Sequence, residues 1–175
     1  DKIEASPPFI VVTDSTASAV IRKRAALRLG ALFFDDKTFS TPLFAVARNK
    51  TIPWNVRENL IVGTNWRETP EELFHPAIRL LSRISLDPTE PWRLRSAAAG
   101  GLAQINSKES TAMLSECLEH PTSPASVRRA SAEGLADRES DGQRLLTQAL
   151  KNQQWAVRYW AAKALAEDYH HFRSG

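Results

Sequence analysis

Along this chain an aliphatic-Arg pair that is followed by small residues and a Leu or Gly about seven positions on recurs five times, at Ile21-Arg22, Val56-Arg57, Leu94-Arg95, Val127-Arg128 and Val157-Arg158. The arginines stand 35, 38, 33 and 30 residues apart, which is the period of a helical hairpin and too short for a propeller blade or a whole domain. Each aliphatic-Arg pair opens an amphipathic helix. Pro53, Pro91 and Pro124 lie four residues before Arg57, Arg95 and Arg128, and proline is well tolerated in a first helical turn. These B helices are predicted over about 18–33, 53–66, 91–105, 124–137 and 154–168. Between them run second apolar segments around Leu43-Phe44-Val46, Ile78-Leu80-Leu81, Met113-Leu114-Cys117-Leu118 and Leu145-Leu146-Ala149-Leu150. These are the A helices. Turn-forming residues join the two sets at Asn49 to Ile52, Leu86 to Thr89, His120 to Ser123 and Asn152-Gln153.

Four A–B hairpins therefore follow a first B helix without an evident A partner. Residues 1–17 hold two prolines and a short apolar run, Phe9 to Val12, and are expected to form an irregular cap or the remnant of a repeat cut from a longer array. Residues 18–168 form the array, and 169–175 a tail.

The B-helix pattern, with Val157-Arg158-Tyr159-Trp160-Ala161-Ala162-Lys163-Ala164-Leu165-Ala166 as its cleanest copy, resembles the HEAT-repeat family, more closely the short bacterial HEAT-like subclass also found in phycobilin lyases. The resemblance covers about residues 18–168. It implies an all-α, right-handed α-solenoid of about four to five hairpins whose B helices line the concave surface. It also implies an Asp in each turn before a B helix, laddering to the arginines. The turns here hold Asn49, Asp87, His120 and Asn152, so only Asp87 meets that pattern.

At roughly 100° per residue, the Arg one position after the aliphatic residue points toward the packed side. Arg22, Arg57, Arg95, Arg128 and Arg158 are therefore expected to be structural, with their stems between repeats and their guanidinium groups on turn carbonyls or acids. Positions two, three and six after the aliphatic residue face the other way, toward the concave surface. They are Lys23, Arg24 and Leu27, with Arg28 beside them; then Glu58, Asn59 and Val62; Ser96, Ala97 and Gly100; Arg129, Ala130 and Glu133; Tyr159, Trp160 and Lys163. This surface changes from basic to bare to aromatic-cationic along the array. Gly100 and Gly101 lie inside a helix, where each costs about 1 kcal/mol relative to Ala. Gly63 and Gly134 share the position of Gly101 and imply tight packing between B helices, whereas for Gly100 two readings stay open, close helix packing and a floor for a partner. Trp54, Trp92 and Trp155, in repeat register at the starts of B helices, are expected to cover hairpin ends. Trp160 is the expected partner anchor.

Composition refines this picture in three ways. The apolar fraction of 42% over 175 residues is enough for a core, and no run approaches a membrane span. The formal charge of +3 arises from 23 basic and 20 acidic residues, which permits nucleic acid without indicating it. One cysteine, Cys117, excludes an internal disulfide and suits a reducing compartment, the cytoplasm by default. Because the chain begins at Asp1, an exported mature protein stays open.

Catalytic motifs are sparse. Glu72 and His75 have one-face spacing, but a di-metal carboxylate site needs that motif twice. Cys117 lies in an apolar stripe and His120 beside it completes no ligand set. His170-His171 has no nearby partners in sequence. No phosphate loop, paired-cysteine zinc pattern or nucleophile elbow is present. The chain is therefore expected to be a non-enzymatic scaffold without cofactor or metal, binding a protein partner through Lys23, Arg24, Glu58, Ser96, Gly100, Arg129, Glu133, Tyr159, Trp160 and Lys163. Two alternatives stay open. One is nucleic-acid binding, with Lys23, Arg24, Arg28, Arg129 and Lys163 on phosphates. The other is a lyase- or chaperone-like accessory subunit, implied by the phycobilin resemblance alone.

Overall fold

Each B segment becomes one helix in the computed structural model, which describes residues 7–32 and 40–173, without side-chain detail at 139 and from 168 onward. They are α2 (Ala19–Ala31), α4 (Trp54–Gly63), α6 (Trp92–Gln104), α8 (Ala125–Ala136) and α10 (Trp155–Arg173). The A segments are α3 (Ser40–Arg48), α5 (Glu71–Leu86), α7 (Lys108–Glu119) and α9 (Glu139–Ala149). No strand occurs among the described residues, so the fold is all-α.

Two elements differ from the sequence-based expectation. Pro7–Thr13 is a helix, α1, packed on α2 and α3, so the first B helix has an A-position partner, as in the repeat-remnant alternative and not the irregular cap. The two prolines of α1, Pro7 and Pro8, stand in the first turn, where no intrahelical N–H bond is lost, and Val12 is fully buried. At the other end α10 runs on to Arg173, through most of the segment assigned to a tail. The side chains of His170 and His171 lie outside the described residues.

The helices form two layers. Each B helix packs on the next, α2 on α4, α4 on α6, α6 on α8 and α8 on α10, while α1, α3, α5, α7 and α9 make the parallel series, with a hairpin contact joining each A–B pair. The shared core between the layers contains Leu29, Leu43, Leu60, Ile78, Leu81, Leu94, Leu102 and Leu114, all fully buried, each contributing about 1.5–3 kcal/mol. A 3₁₀ turn, Trp66–Glu68, drops the Trp66 ring into this core. There its Nε1–H donates to Ile61 O at 2.9 Å and its ring stacks on Phe44.

One polar contact recurs at each of the first four hairpins. The guanidinium groups of Arg22, Arg57, Arg95 and Arg128 are buried and donate to the carbonyl ten residues earlier, those of Val12, Ala47, Ser85 and Leu118. Those carbonyls close the A helices, where a helix has no N–H of its own to offer and where the macrodipole favours a cation. Arg57 and Arg128 donate further to Ile52 O and Ser123 O in their own turns. The following hairpin completes two of the four. Glu90 takes both Nη atoms of Arg57, at 2.9 and 2.7 Å, and Gln154 Oε1 takes Arg128 Nη2 at 2.7 Å. Arg95 receives no such acceptor, and its Nη2 is buried without a partner. Arg158, exposed on α10, reaches the carbonyls of Asn152 and Gln153.

The Asp–Arg ladder implied by the family resemblance does not form. Asp14, Asn49, Asp87 and Asn152 instead accept the backbone N–H two residues on, and His120 Nδ1 faces the N–H and hydroxyl of Thr122 in the same place. The turn residue thus shapes its own loop as an Asx turn. Asp87 also accepts from Lys50 Nζ at 2.7 Å. Lys50 and Thr89 together hold its carboxyl down at about 2.

Glycine sets how closely two B helices approach at one crossing. A Cβ added to Gly63 would lie 2.7 Å from Leu27 O, and one added to Gly30 would lie 2.7 Å from Leu60 O, so α2 and α4 meet backbone to backbone. Gly100 differs: a Cβ there would have no neighbour within 4 Å. Gly63→Ala should therefore cost roughly 1–3 kcal/mol in urea unfolding, and Gly100→Ala should add up to about 1 kcal/mol. A shared sign for the two would contradict this packing. A second expectation concerns acid. Because the folded carboxyl of Asp87 titrates below its ordinary 3.8, its contribution is complete above about pH 4 and fades as pH falls toward 2. Asp87→Asn should flatten the stability profile over that window, measured by thermal melting from pH 5 to 2.

Candidate functional site

With their packed sides fixed by the buried arginines, the B helices leave one face accessible. Lys23, Glu58, Asn59, Ser96, Ala97, Gly100, Ala130 and Trp160 are half-buried, while Arg24, Leu27, Val62, Arg129, Glu133, Tyr159 and Lys163 are exposed. The ten proposed partner-binding residues thus share one side of the B layer, spread over five successive helices.

Two places on this face are structured. Between α4 and α6, Glu58, Val62, Trp92, Arg93, Ser96 and Ala97 line a shallow depression of about 400 Å³. Ser96 Oγ donates to Ser126 O at 3.3 Å, tying the rim to α8, and the Arg93 guanidinium lies 5.4 Å from the Trp92 ring centroid. Gly100 stands one turn further along α6 with open space above it.

The second place is the start of α10. Trp155 and Tyr159 are 72% and 50% exposed, and the rings of Trp155, Tyr159 and Trp160 form an edge-to-face series with centroid separations of 6.5 and 5.0 Å. Lys163 Nζ lies 5.3 Å from the Trp160 centroid, within cation–π range, and 3.8 Å from Glu167. Such a cluster offers large apolar area at small entropic cost, which is the make-up of a binding hot spot.

The aromatic positions require a correction. Trp54 packs half-buried against the core, but Trp92 and Trp155 cover no hairpin end; both are exposed. Stepping back two residues from the repeat aliphatic turns the helix by about 200°, which brings that position beside the free-face position two residues after it. The signal was therefore in the helical wheel. Trp160, the expected anchor, is half-buried and packs on the core as well as on Tyr159.

The charges on this face are partly neutralised within it. Arg129 Nε donates to Glu133 Oε1 at 2.7 Å, and Lys163 is shared between Trp160 and Glu167. The phosphate-contact set is thereby reduced to Lys23, Arg24 and Arg28 at the α2 end. Elsewhere, burial pushes the Cys117 thiol up to about 11, which leaves it protonated and unreactive. His75 pairs with Glu109 at 2.8 Å. Among the described residues no group of three or more His, Cys, Asp or Glu could hold a metal, and no helix is long and apolar enough to cross a membrane.

No family model matches the chain, and no curated protein does. Among solved structures 17 chains match. One is human deoxyhypusine hydroxylase in complex with glycerol, at 16% identity, covering 90% of this chain and 82% of that one, with a TM-score of 0.28. The expectation that the chain is not an enzyme is corrected on this point, since that neighbour is an enzyme. At so low a TM-score the likeness transfers no activity or substrate.

Proposed function

We propose that the chain is a HEAT-like repeat module that binds a protein segment along its B-helix face, anchored on the α10 aromatic cluster. The observation that carries this is the exposure of Trp155 and Tyr159 beside Trp160 and Lys163. Exposed large aromatics cost solvation unless a partner covers them, and here three adjoin one cation. Residue identity at the free positions also varies between repeats while the packed arginine does not. This separation of a constant frame from a variable face suits recognition of an extended partner. A cytoplasmic location fits the lone buried thiol.

Nucleic acid is the weaker reading, because Arg129 is already paired and Glu58 and Glu133 interrupt the basic series.

Capture from lysate of the source organism, with and without nuclease, tests the proposal. Trp155→Ala with Tyr159→Ala should lower recovery of a nuclease-resistant partner at least about tenfold, as loss of a hot spot does, with the melting temperature nearly unchanged. Gly100→Ala should weaken capture while it stabilises the fold. Capture that survives the double substitution, or that vanishes on nuclease treatment, would contradict the proposal.

A further inference from the structure

The opposite, A-helix side of the array carries a second groove. Two adjoining depressions, about 590 and 540 Å³, run along α5 and share Arg48, Leu80 and Arg83. Arg48 at the end of α3 and Arg79 and Arg83 on α5 supply three exposed guanidinium groups to its walls. None of the three has an acid of the described residues within 4.0 Å. Arg79 and Arg83 stand one turn apart on the same helix face, a like-charge spacing that weakens an isolated helix. The floor is apolar, formed by half-buried Phe44, Leu86 and Met113.

From this pairing of three exposed arginines, unpaired with any acid of the described residues, with an apolar floor we infer that the α3–α5–α7 groove is a docking site for an acidic amphipathic segment of a protein, independent of the B-helix face. The apolar side of such a segment lies on Phe44, Leu86 and Met113, with methionine adapting to its shape. Its carboxylates take the forked donors of Arg48, Arg79 and Arg83. A nucleic acid fits the groove less well. Glu116 stands in the wall of the first depression, and Asp87 and Glu90 in that of the second, where a continuous phosphate chain would pass. A peptide can place its few carboxylates on the arginines and neutral residues at those points.

The test is selection from a display library of random peptides of about sixteen residues, long enough for four helical turns, on the full chain. The charge-reversed variant Arg48→Glu/Arg79→Glu/Arg83→Glu serves as counter-target, and its fold is checked by circular dichroism. Expected are net-acidic sequences with aliphatic or aromatic residues at helical spacing. Their affinity should fall at least about tenfold on the variant and with added salt, and stay unchanged by Trp155→Ala/Tyr159→Ala. Arg48→Gln/Arg79→Gln/Arg83→Gln, which leaves the groove uncharged, should give the same direction of loss. No selected binders, neutral or basic binders, or binders retained by both arginine variants would overturn the inference. So would a single-stranded oligonucleotide that outcompetes the selected peptides on the unmodified chain.

Discussion

A buried guanidinium closing the end of the neighbouring helix is the contact on which this structure depends. Each of the first four B helices sends its first-turn arginine to a carbonyl ten residues back, at the end of the A helix of the same hairpin. The bond answers two needs at once, satisfying a carbonyl that has no intrahelical donor and placing a cation at the negative end of a helix dipole. It also explains how a group as polar as arginine comes to be buried in four consecutive copies. Burial pulls Arg95 and Arg128 below their ordinary values, which reflects the solvation these groups give up.

The contact orders the rest of the molecule. It fixes the rotation of each B helix, so one side meets the core and its neighbours while the other is left to carry sequence variation. Where the next hairpin supplies an acceptor, as Glu90 and Gln154 do, the same arginine couples adjacent repeats. At Arg158 on α10 the arginine is solvent-exposed and reaches carbonyls of its own loop. The accessible rings of Trp155 and Tyr159 sit on that same helix. Fold and candidate site thus arise from one periodic decision about which way each helix faces.

Much of this was legible in the residues. The spacing of five arginines fixed the number and order of the B helices, because a period near 35 admits few architectures, and four of the arginines lie where their wheel position put them. The partners of those arginines were not legible. Glu90 sits in a turn, and no local pattern shows that it reaches back 33 residues to Arg57. The turn residues misled in the opposite sense, since Asp87 and its counterparts shape their own loops and leave the arginines to others. The exposure of Trp92 and Trp155 could have been read from the wheel, but repeat register suggested packing. The groove along α5 was hidden for another reason: Arg48 and Arg79 are 31 positions apart in the chain and come together only once α3 lies on α5.

The most direct measurement is equilibrium urea unfolding of Arg128→Met beside Arg158→Met, since methionine keeps much of the apolar stem and removes the guanidinium. Losing Arg128 takes the guanidinium donor from the carbonyls of Leu118 and Ser123, and from that of His120, which keeps the Ser123 N–H, and a cost of about 3 kcal/mol is expected. Arg158→Met, at an exposed position, should cost less than about 1 kcal/mol. Equal small losses at both sites would mean that apolar packing alone holds the hairpins together, and that the arginine contact is a consequence of the fold and not its fastening.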